Sequence, residues 1–475
     1  MFFGRKEELR AFDRLWSLPG ASLAVCRGRR RVGKSSLIEE FARKSKVRFI
    51  KLEGIAPGEN VDNETQLEAF SRQLKEQCGI VSPIPTNWFE AFALLDKALP
   101  RRARAVVLLD EISWMGKYDP SFPGELKYAW DNRFSKHERN VFVLCGSVSA
   151  WIARNIMHSK AFVGRISLNL VLKELPIRDC LSFWGAKADM VDTREIVDVL
   201  SVVGGIPEYL RLLNPSESAD ENIRKLCFSP TGILLDEFDA IFDDVIEENL
   251  ATRRKMLEML AESSLTGRDI AEKIGLDYNG HVSDNLSALE EAGFVAKDAG
   301  VNPDNGKVTN LCRYRICDNY TRFYLKYIQR ERELIRSGSF RFSSLEQLPG
   351  WDSIMGLQFE CLVMANLAGL LPLIGLDSTL LVSAAPYVRR NTDGRRGVQI
   401  DLLLQTRRAM YVVEIKRKGE IGESIVEEVA AKVDALRKRK GMSVRAVLVY
   451  DGRLSKRVPA DGYFSDIIPI EAFFK

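Results

Sequence analysis

A short glycine-rich stretch near the beginning of the chain limits the folds that the chain can adopt. Residues 28–35 read GRRRVGKS and match the pattern G-x-x-x-x-G-K-[ST]. An apolar stretch, ASLAVC, precedes them and an amphipathic stretch follows, which predicts a strand, a loop and a helix. Backbone N–H groups of such a loop, together with the positive end of the helix, can bind a polyphosphate. The sequence therefore predicts an α/β fold with a nucleotide-binding loop.

The predicted nucleotide-binding set begins with this loop. Lys34 is expected to reach the β- and γ-phosphates of ATP, and the Ser35 hydroxyl is expected to ligate Mg²⁺. The loop members of the set are Gly28, Arg29, Arg30, Arg31, Val32, Gly33, Lys34, Ser35 and Ser36. A chance match is the alternative, and the strand before the loop and the helix after it argue against chance.

Two later apolar stretches end in polar residues that could complete the site. In ARAVVLLDEI, Asp110 is expected to bind Mg²⁺ through water and Glu111 to orient or deprotonate the attacking water, unless both are a solvated strand end. The stretch NVFVLCGS ends in Ser147, which either senses the γ-phosphate or caps a helix. Arg165 follows closely and is expected to act as an arginine finger or sensor, with an ordinary surface arginine as the alternative.

These pieces together resemble the AAA+ and STAND branches of the P-loop NTPases over residues 1–215. The opening FFGRKEEL is similar to the linker F-x-G-R-x-x-E that precedes the loop in those families. The stretch SVVGGIPEYL resembles their G-x-P element, which implies that Pro207 contacts the nucleotide from a helical lid. A plain amphipathic helix and an ordinary turn are the respective alternatives. The resemblance also implies ATP and Mg²⁺ as cofactors and a homo-oligomer of unspecified size.

The middle of the chain resembles a winged helix-turn-helix. Over residues 251–315, two segments with helical spacing are joined by a short turn, and a polar hairpin follows. Such a module can lay its second helix in the major groove of DNA. This helix has no lysine or arginine, which favours a structural or regulatory role; its acids are Asp284, Glu290 and Glu291. If DNA is contacted here, the expected surface is the wing with Lys307, Arg313 and Arg315.

Three charged residues interrupt two apolar strands near the end of the chain. Asp401 lies in VQIDLLL, and Glu414 and Lys416 lie in AMYVVEIKR, where burial favours apolar side chains. Because side chains alternate along a strand, Asp401 should lie on the face opposite to the one shared by Ile400, Leu402 and Leu404. An even loop between the strands, such as residues 407–408, would bring the three charged residues to one face. An odd loop would separate Asp401 from the other two.

The elements around these strands follow the order αβββαβ, which resembles the common core of the PD-(D/E)XK nucleases. On one face, Asp401 and Glu414 could hold one or two divalent metal ions, Mg²⁺ or Mn²⁺, while Lys416 stabilises developing charge or helps to activate water. Glu360, on the preceding helix, matches the additional acid of many members, and Lys432 on the later helix is a further candidate. The segment QID lacks the usual proline before the aspartate. A salt-bridged hairpin, or the same fold without catalysis, is the alternative.

Charge and cysteine content narrow the class of protein only slightly. The formal net charge of +4 is mildly basic, and the basic stretches at 389–396 and 437–440 are expected either to guide a nucleic-acid backbone or to be solvated faces. The eight cysteines include no C-x-x-C pair, which argues against zinc and disulfide frameworks and favours a cytoplasmic location. No apolar run reaches the length of a membrane span, and the N-terminus lacks the apolar core of a signal peptide.

The predicted organisation has four parts: a P-loop ATPase core at 1–175, a helical lid at 176–250, a winged helix at 251–315, and a restriction-endonuclease-like domain with a helical lead-in at 316–475. The leading hypothesis is an ATP-binding and ATP-hydrolysing protein whose nucleotide state controls a metal-dependent DNA endonuclease. The alternative is an ATP-dependent switch or scaffold with an inactive nuclease fold that binds nucleic acid or protein. A winged-helix transcription regulator is a third hypothesis, which the acidic second helix disfavours.

Overall fold

The computed structural model describes residues 2–100, 103–147, 150–246, 249–301, 308–389, 391, 397–436 and 441–475. The chain forms two compact units, Met1–Leu175 and Pro176–Lys475. Each unit has its own sheets and its own buried core. The predicted division into four domains stays a prediction.

The first unit is built on a parallel sheet with the strand order β2-β3-β4-β1-β5. Its strands are β1 (Ser22–Gly28), β2 (Arg48–Glu53), β3 (Ala105–Asp110), β4 (Asn140–Ser147) and β5 (Ile166–Leu172). Its helices are α1 (Lys6–Leu15), α2 (Lys34–Ser45), α3 (Asn63–Cys78), α4 (Trp88–Ala98), α5 (Ile112–Met115), α6 (Phe122–Asn132) and α7 (Ala150–Ile152).

Apolar runs explain why the central strands form. Every residue of β3 and β4 is buried, as expected for parallel strands that are covered on both faces. An aromatic cluster fills the core, and the ring centroids of Trp88 and Phe122 lie 4.8 Å apart in an edge-on arrangement. Because the strands are parallel, the carboxyl ends of β1, β3 and β4 meet at one edge of the sheet, where ligands bind in folds of this kind.

The second unit contains two sheets, with the strand orders β6-β8-β7 and β13-β12-β11-β10-β9. Its strands are β6 (Leu265–Thr266), β7 (Val295–Val301), β8 (Val308–Ile316), β9 (Leu381–Arg389), β10 (Val398–Thr406), β11 (Ala409–Ile421), β12 (Ser443–Leu454) and β13 (Asp466–Pro469). Its helices are α8 (Ile177–Cys180), α9 (Thr193–Val203), α10 (Pro207–Leu210), α11 (Ala219–Cys227), α12 (Glu237–Val245), α13 (Leu250–Glu262), α14 (Gly267–Lys273), α15 (Gly280–Glu291), α16 (Asn319–Phe323), α17 (Arg332–Arg336), α18 (Trp351–Ala365), α19 (Leu367–Leu373), α20 (Ser424–Ala435) and α21 (Arg457–Asp461).

Helices α13, α14 and α15 and the antiparallel strands β7 and β8 form a winged-helix-like module. Thr266 begins α14 through a capping box with Asp269, and the side chain of Asn279 accepts a hydrogen bond from Val282 N at the start of α15. These caps explain why two helices separated by a short turn form at this point of the sequence. Lys307, at the predicted wing, lies outside the described residues.

The larger sheet of the second unit mixes antiparallel and parallel strands. Strand β10 pairs antiparallel with β9 and β11, whereas β12 pairs parallel with β11 and β13. Helix α18 precedes these strands, and α20 connects β11 to β12. A parallel connection of this kind needs a crossover, which α20 provides. Ile425 and Val429 of α20 are buried in one cluster with side chains of β10, β11 and β12.

Among the described residues, no single helix is long and apolar enough to cross a membrane, although α18 and α19 together meet the criteria of length and composition as a pair bent by 76°.

Candidate functional site

The glycine-rich loop joins β1 to α2 in a left-handed turn. Arg31 has a φ of 71°, and Gly33, directly before α2, has a φ of 88°. The side chain of Val32 is buried, whereas Ser35 is half-buried and Ser36 is exposed on the first turn of α2. The loop therefore stands at the N-terminus of a helix, which favours an anionic ligand.

The Lys34 side chain folds back over the loop. Its Nζ donates hydrogen bonds to the carbonyl oxygens of Gly28 and Arg29, at 3.1 and 3.2 Å, and only 6% of the residue is exposed. These contacts hold the ammonium group among the backbone groups that the sequence predicts to bind phosphate. Arg29 also lies 3.6 Å from the carboxylate of Glu174, while Arg30 is half-buried.

An arginine of the N-terminal linker supports the loop, and sequence reasoning gave it no role. Arg5 is buried, and its NH2 group donates to the carbonyl oxygens of Val32 and Lys173, at 3.1 and 2.6 Å. Its NH1 group contacts Glu8 at 3.2 Å. Arg5 is the arginine of the F-x-G-R linker pattern, and its place in that pattern could have indicated a role beside the loop.

The predicted acids lie at the end of β3. Asp110 is buried, and Glu111 follows it with a φ of 49°. Lys51 Nζ, on the neighbouring strand β2, lies 3.4 Å from Asp110 Oδ2 and also close to Glu39 and Glu53. Sequence reasoning missed Lys51, because it is a charged residue on a strand whose pairing with β3 was unknown.

Ser147 reaches the loop, whereas Arg165 is bound elsewhere within the first unit. Ser147 is buried and pairs with Gly28 across β4 and β1. Arg165 makes a two-point ion pair with Asp131, with Nε–Oδ1 at 2.6 Å and NH2–Oδ2 at 2.9 Å. Hydrogen bonding from Arg165 lowers the pKa of Asp131 to about 2. A role for Arg165 as a finger therefore requires this pair to break.

Pro207 begins α10 and belongs to the second unit. It follows Gly204, which ends α9 with a φ of 66°. Its contact with nucleotide stays a prediction.

Gly28→Ala is expected to destabilise the first unit. A Cβ at this position would lie 2.4 Å from the backbone oxygen of Leu172 on β5, so two paired strands would have to move apart. Strain of this kind lowers the free energy of unfolding by about 1–3 kcal/mol. Thermal unfolding should show the loss, whereas Gly124→Ala, where a Cβ meets no atom within 4 Å, serves as the control. Equal unfolding temperatures for the two variants would contradict this expectation.

The second set of predicted residues comes together in an open cavity of about 750 Å³ in the second unit. The residues that line it include Glu360 of α18, Asp401 of β10, Glu414 and Lys416 of β11, and Lys432 of α20. Leu402 pairs with Val413 and Gln405 with Met410, which leaves Arg407 and Arg408 in the turn. This register corresponds to an even loop, the condition under which the charged residues share one face.

One detail of the predicted alternation is wrong. The pairing of β10 with β9 shifts between Ile400 and Leu403, and these two residues lie in the same buried cluster. Ile400 was expected to share a face with Leu402 and Leu404, but the irregularity changes the side of the strand on which it lies. At the same place, Asp401 Oδ2 accepts a hydrogen bond from Ile415 N at 2.9 Å. The Asp401 side chain is thereby the hydrogen-bond acceptor for a backbone N–H group of β11.

Burial dominates the electrostatics of the three acids. It raises the pKa of Asp401 to about 6, and it raises the pKa of Glu360 and of Glu414 to about 7. The negative charges of neighbouring acids raise these pKa values further, because Glu360 acts on Asp401 and Asp401 acts on Glu414. Three carboxyl groups that disfavour simultaneous ionisation need nearby positive charge.

Two lysines supply positive charge at this place. Lys432 Nζ contacts both oxygens of Glu414, at 2.8 and 2.6 Å, whereas Lys416 Nζ lies 3.9 Å from Glu414 and 3.2 Å from both oxygens of Glu428. Where the structure describes the chain, His, Cys, Asp and Glu side chains form no group of three or more that could hold a metal ion as they stand. The acids share a cavity without forming a closed ligand cluster.

The arginines predicted to contact DNA are engaged within the winged-helix-like module. Arg315 pairs with Asp298 at 2.8 Å, and Arg313 Nε donates to Ser264 Oγ at 3.2 Å. The acids of α15, in contrast, are exposed. The basic stretch at 437–440, and the stretch at 389–396 except for Arg389 and Asn391, lie outside the described residues.

Comparisons with known families support the predicted ATPase domain in the first half of the chain and the predicted helix-turn-helix in the middle. Residues 2–213 match the family described as "ATPase domain predominantly from Archaea". Residues 251–297 match the family described as "Bacterial regulatory protein, arsR family".

Two individual relatives match different lengths of the chain. "Uncharacterized protein MJECL04" of Methanocaldococcus jannaschii is 23% identical over 364 residues, which cover 76% of each chain. "Uncharacterized ATP-binding protein MJ0423" of the same organism is 46% identical over 48 residues, which cover 10% of this chain and 81% of that protein.

A solved structure supports the fold. The Walker-type ATPase of Pyrococcus abyssi is 16% identical, has a TM-score of 0.51, and is matched over 68% of this chain and 96% of its own. At this identity the similarity concerns the fold alone. The chain therefore carries an archaeal-type ATPase domain with the P-loop NTPase fold, followed by a helix-turn-helix of the ArsR type.

Proposed function

We propose that the chain binds and hydrolyses ATP at its glycine-rich loop, and that the nucleotide state controls a metal-dependent DNA endonuclease in the C-terminal cavity. The observation that carries the second part is the convergence of Asp401, Glu414, Lys416 and Glu360 on one cavity, from three separate elements. Perturbed acids that share a cavity are typical of functional sites. The match to an archaeal ATPase family carries the first part.

At the loop, Lys34 would contact the β- and γ-phosphates, and Ser35 with Asp110 would hold Mg²⁺. Glu111 would orient the attacking water, and Ser147, which pairs with the first glycine of the loop, would sense the γ-phosphate. Mg²⁺ suits these groups, because it prefers hydroxyl, carboxylate and phosphate oxygens.

At the cavity, the donor set suits Mg²⁺ or Mn²⁺. Carboxylate oxygens are the ligands that these hard cations prefer. Burial raises the pKa of Asp401 and of Glu414, so a further positive charge would favour their ionised forms. A bound divalent ion would supply that charge and stabilise the developing negative charge on a phosphodiester. The chain's own part is to place the acids, one of which would accept the proton of the attacking water. The water oxygen would form a bond to phosphorus while the ester P–O bond breaks and the leaving oxygen gains a proton.

An ion-pair network supports control of this cavity through α9, a helix that lies within the residues matched to the ATPase family. Arg417, next to Lys416 on β11, contacts Asp198 of α9 and lies 2.9 Å from Asp451. Helix α9 packs against α18, the helix that carries Glu360, and it ends shortly before Pro207. A shift of α9 would therefore act on two elements of the cavity.

Asp198→Asn is expected to weaken this control. The variant keeps the size of the side chain but removes the charge that pairs with Arg417. In the wild type, we expect ATP to change the rate of DNA cleavage about fivefold or more, as a typical coupling free energy would. In Asp198→Asn, the ratio of the rates with and without ATP should fall toward one, while ATP hydrolysis is retained. Asp189→Asn makes the same chemical change on an exposed aspartate and is the control. Retention of the full ATP effect in Asp198→Asn would show that α9 does not transmit it.

Nuclease assays test the proposed function as a whole. Plasmid, linear duplex and labelled single strands should be incubated with Mg²⁺ or Mn²⁺, and in parallel with EDTA. Metal-dependent cleavage is the expected result. Absence of cleavage on every substrate, in protein that still hydrolyses ATP, would reject the endonuclease and leave the ATPase.

A switch or scaffold without catalysis is the second candidate. The observation that favours it is the two-point contact of Lys432 with Glu414, because an ammonium group already stands against the acid that a metal would need. Such a domain would bind nucleic acid or protein without cutting. Binding of duplex DNA without metal-dependent cleavage would distinguish this candidate from the first.

A further inference from the structure

The positive charge in the C-terminal cavity is unevenly distributed between two lysines. Lys416 belongs to the E-x-K pattern of β11, yet its ammonium group lies 3.9 Å from Glu414 and is turned toward Glu428. Lys432 lies on a different element, α20, and contacts both oxygens of Glu414. Lys416, which is near Glu414 in the sequence, is therefore not the lysine in closest contact with Glu414.

Packing fixes the position of Lys432. Along α20, Lys432 lies between Val429 and Val433, and both valines are buried in the cluster that joins α20 to the sheet. Its side chain is 18% exposed, compared with 33% for Lys416. A lysine held by its helix in a partly buried position has fewer arrangements available than one at the rim of the cavity.

The pKa values of the three acids are also affected more by Lys432 than by Lys416. Its charge lowers the pKa of Glu360, Asp401 and Glu414 and so opposes the effect of burial on each of them. Burial of Lys432 lowers its pKa, but the negative charges of Glu414 and Asp401 and the contact with Glu414 together outweigh burial and raise it. The ammonium group therefore stays charged among the acids.

We propose that Lys432, rather than Lys416, is the lysine that balances the buried carboxylates of this cavity and contacts the phosphate group bound there. The inference rests on the proposed endonuclease function and names a residue that acts in it. A side chain that touches Glu414 is placed to meet a phosphate oxygen near the metal ion that this carboxylate would hold, where a positive charge stabilises the transition state. Glu428, which contacts both lysines, keeps Lys416 at the rim.

The arrangement has a second consequence for metal binding. Lys432 and a divalent cation compete for the same carboxylate oxygens of Glu414, because both need its negative charge. Removing the ammonium group should strengthen metal binding while it weakens catalysis. General damage to the fold would weaken both, so opposite changes distinguish a role in the site from a structural role.

The test compares Lys432→Met, Lys416→Met and Lys418→Met in the full chain. Lys418 is exposed further along β11 and controls for the loss of a surface lysine. For each variant, Mn²⁺ affinity is measured by calorimetry at pH 8, DNA cleavage at saturating Mn²⁺, and thermal unfolding in EDTA. Lys432→Arg, which keeps the positive charge, is measured in the same way.

We expect Lys432→Met to bind Mn²⁺ about tenfold more tightly, to cut DNA about 100-fold more slowly, and to unfold in EDTA at a lower temperature than Lys416→Met. Lys432→Arg should restore part of the cleavage. Unchanged Mn²⁺ affinity in Lys432→Met, or a loss of cleavage confined to Lys416→Met, would overturn the inference. If the wild type does not cut DNA, the proposed function fails, whereas tighter Mn²⁺ binding by Lys432→Met would still support the charge-balancing role.

Discussion

Lys34→Ala is expected to weaken ATP binding by the ATPase domain strongly. The ammonium group of Lys34 is buried over the loop and donates to the carbonyl oxygens of Gly28 and Arg29. A charge-assisted contact to phosphate contributes more than a neutral hydrogen bond, and its loss should weaken binding about 100-fold. Titration with ATP by calorimetry measures the effect directly.

The matched control for this variant is Lys44→Ala. Lys44 lies on the same helix, α2, but it is exposed and pairs with Glu40 at the far end from the loop. It should bind ATP as tightly as the wild type. Equal affinities of Lys34→Ala and the wild type would contradict the assignment of the nucleotide site to this loop.

Glu414→Gln is expected to weaken metal binding strongly and to remove DNA cleavage. Glu414 is 2% exposed, lines the cavity, and is the acid in contact with Lys432. Glutamine keeps the shape of the side chain and removes the charge, so a metal ion would lose a ligand and meet the Lys432 ammonium group without its counter-charge. We expect Mn²⁺ affinity to fall by about 100-fold and cleavage to become undetectable.

Calorimetry with Mn²⁺ and a plasmid cleavage assay check this expectation on the same preparations. Glu427→Gln makes the same change on the exposed face of α20 and should behave like the wild type. If Glu414→Gln binds Mn²⁺ and cuts DNA normally, the cavity is not the metal site. Thermal unfolding of each variant shows whether a loss of activity reflects a loss of structure.

The parts of the fold that the sequence predicts best are those that depend on neighbouring residues. The loop, its lysine and the following helix lie within residues 28–45, and local spacing suffices to identify them. The winged-helix-like module was also predictable, because helix caps and a polar hairpin are local features. The convergence of Asp401 with Glu414 followed from strand alternation and an even turn, even though the register with β9 shifts next to Asp401.

Contacts between distant parts of the chain could not be predicted in this way. Arg5 joins Val32 of the loop to Lys173, and Arg165 is held by Asp131; both pairings depend on how strands and helices are arranged in space. Lys432 contacts Glu414 because α20 crosses the sheet at one particular position. Sequence spacing between separate elements carries little information about such contacts, since the packing of those elements determines them.

Control of the C-terminal cavity by the nucleotide state can be measured as a change in the cleavage rate. The rate of plasmid cleavage with Mn²⁺ should be measured with ATP, with ADP and without nucleotide, for the wild type and for Lys34→Ala. We expect a rate that changes about fivefold or more with nucleotide in the wild type, and a single rate under all three conditions in Lys34→Ala. A wild-type rate that is the same with ATP, with ADP and without nucleotide would contradict it.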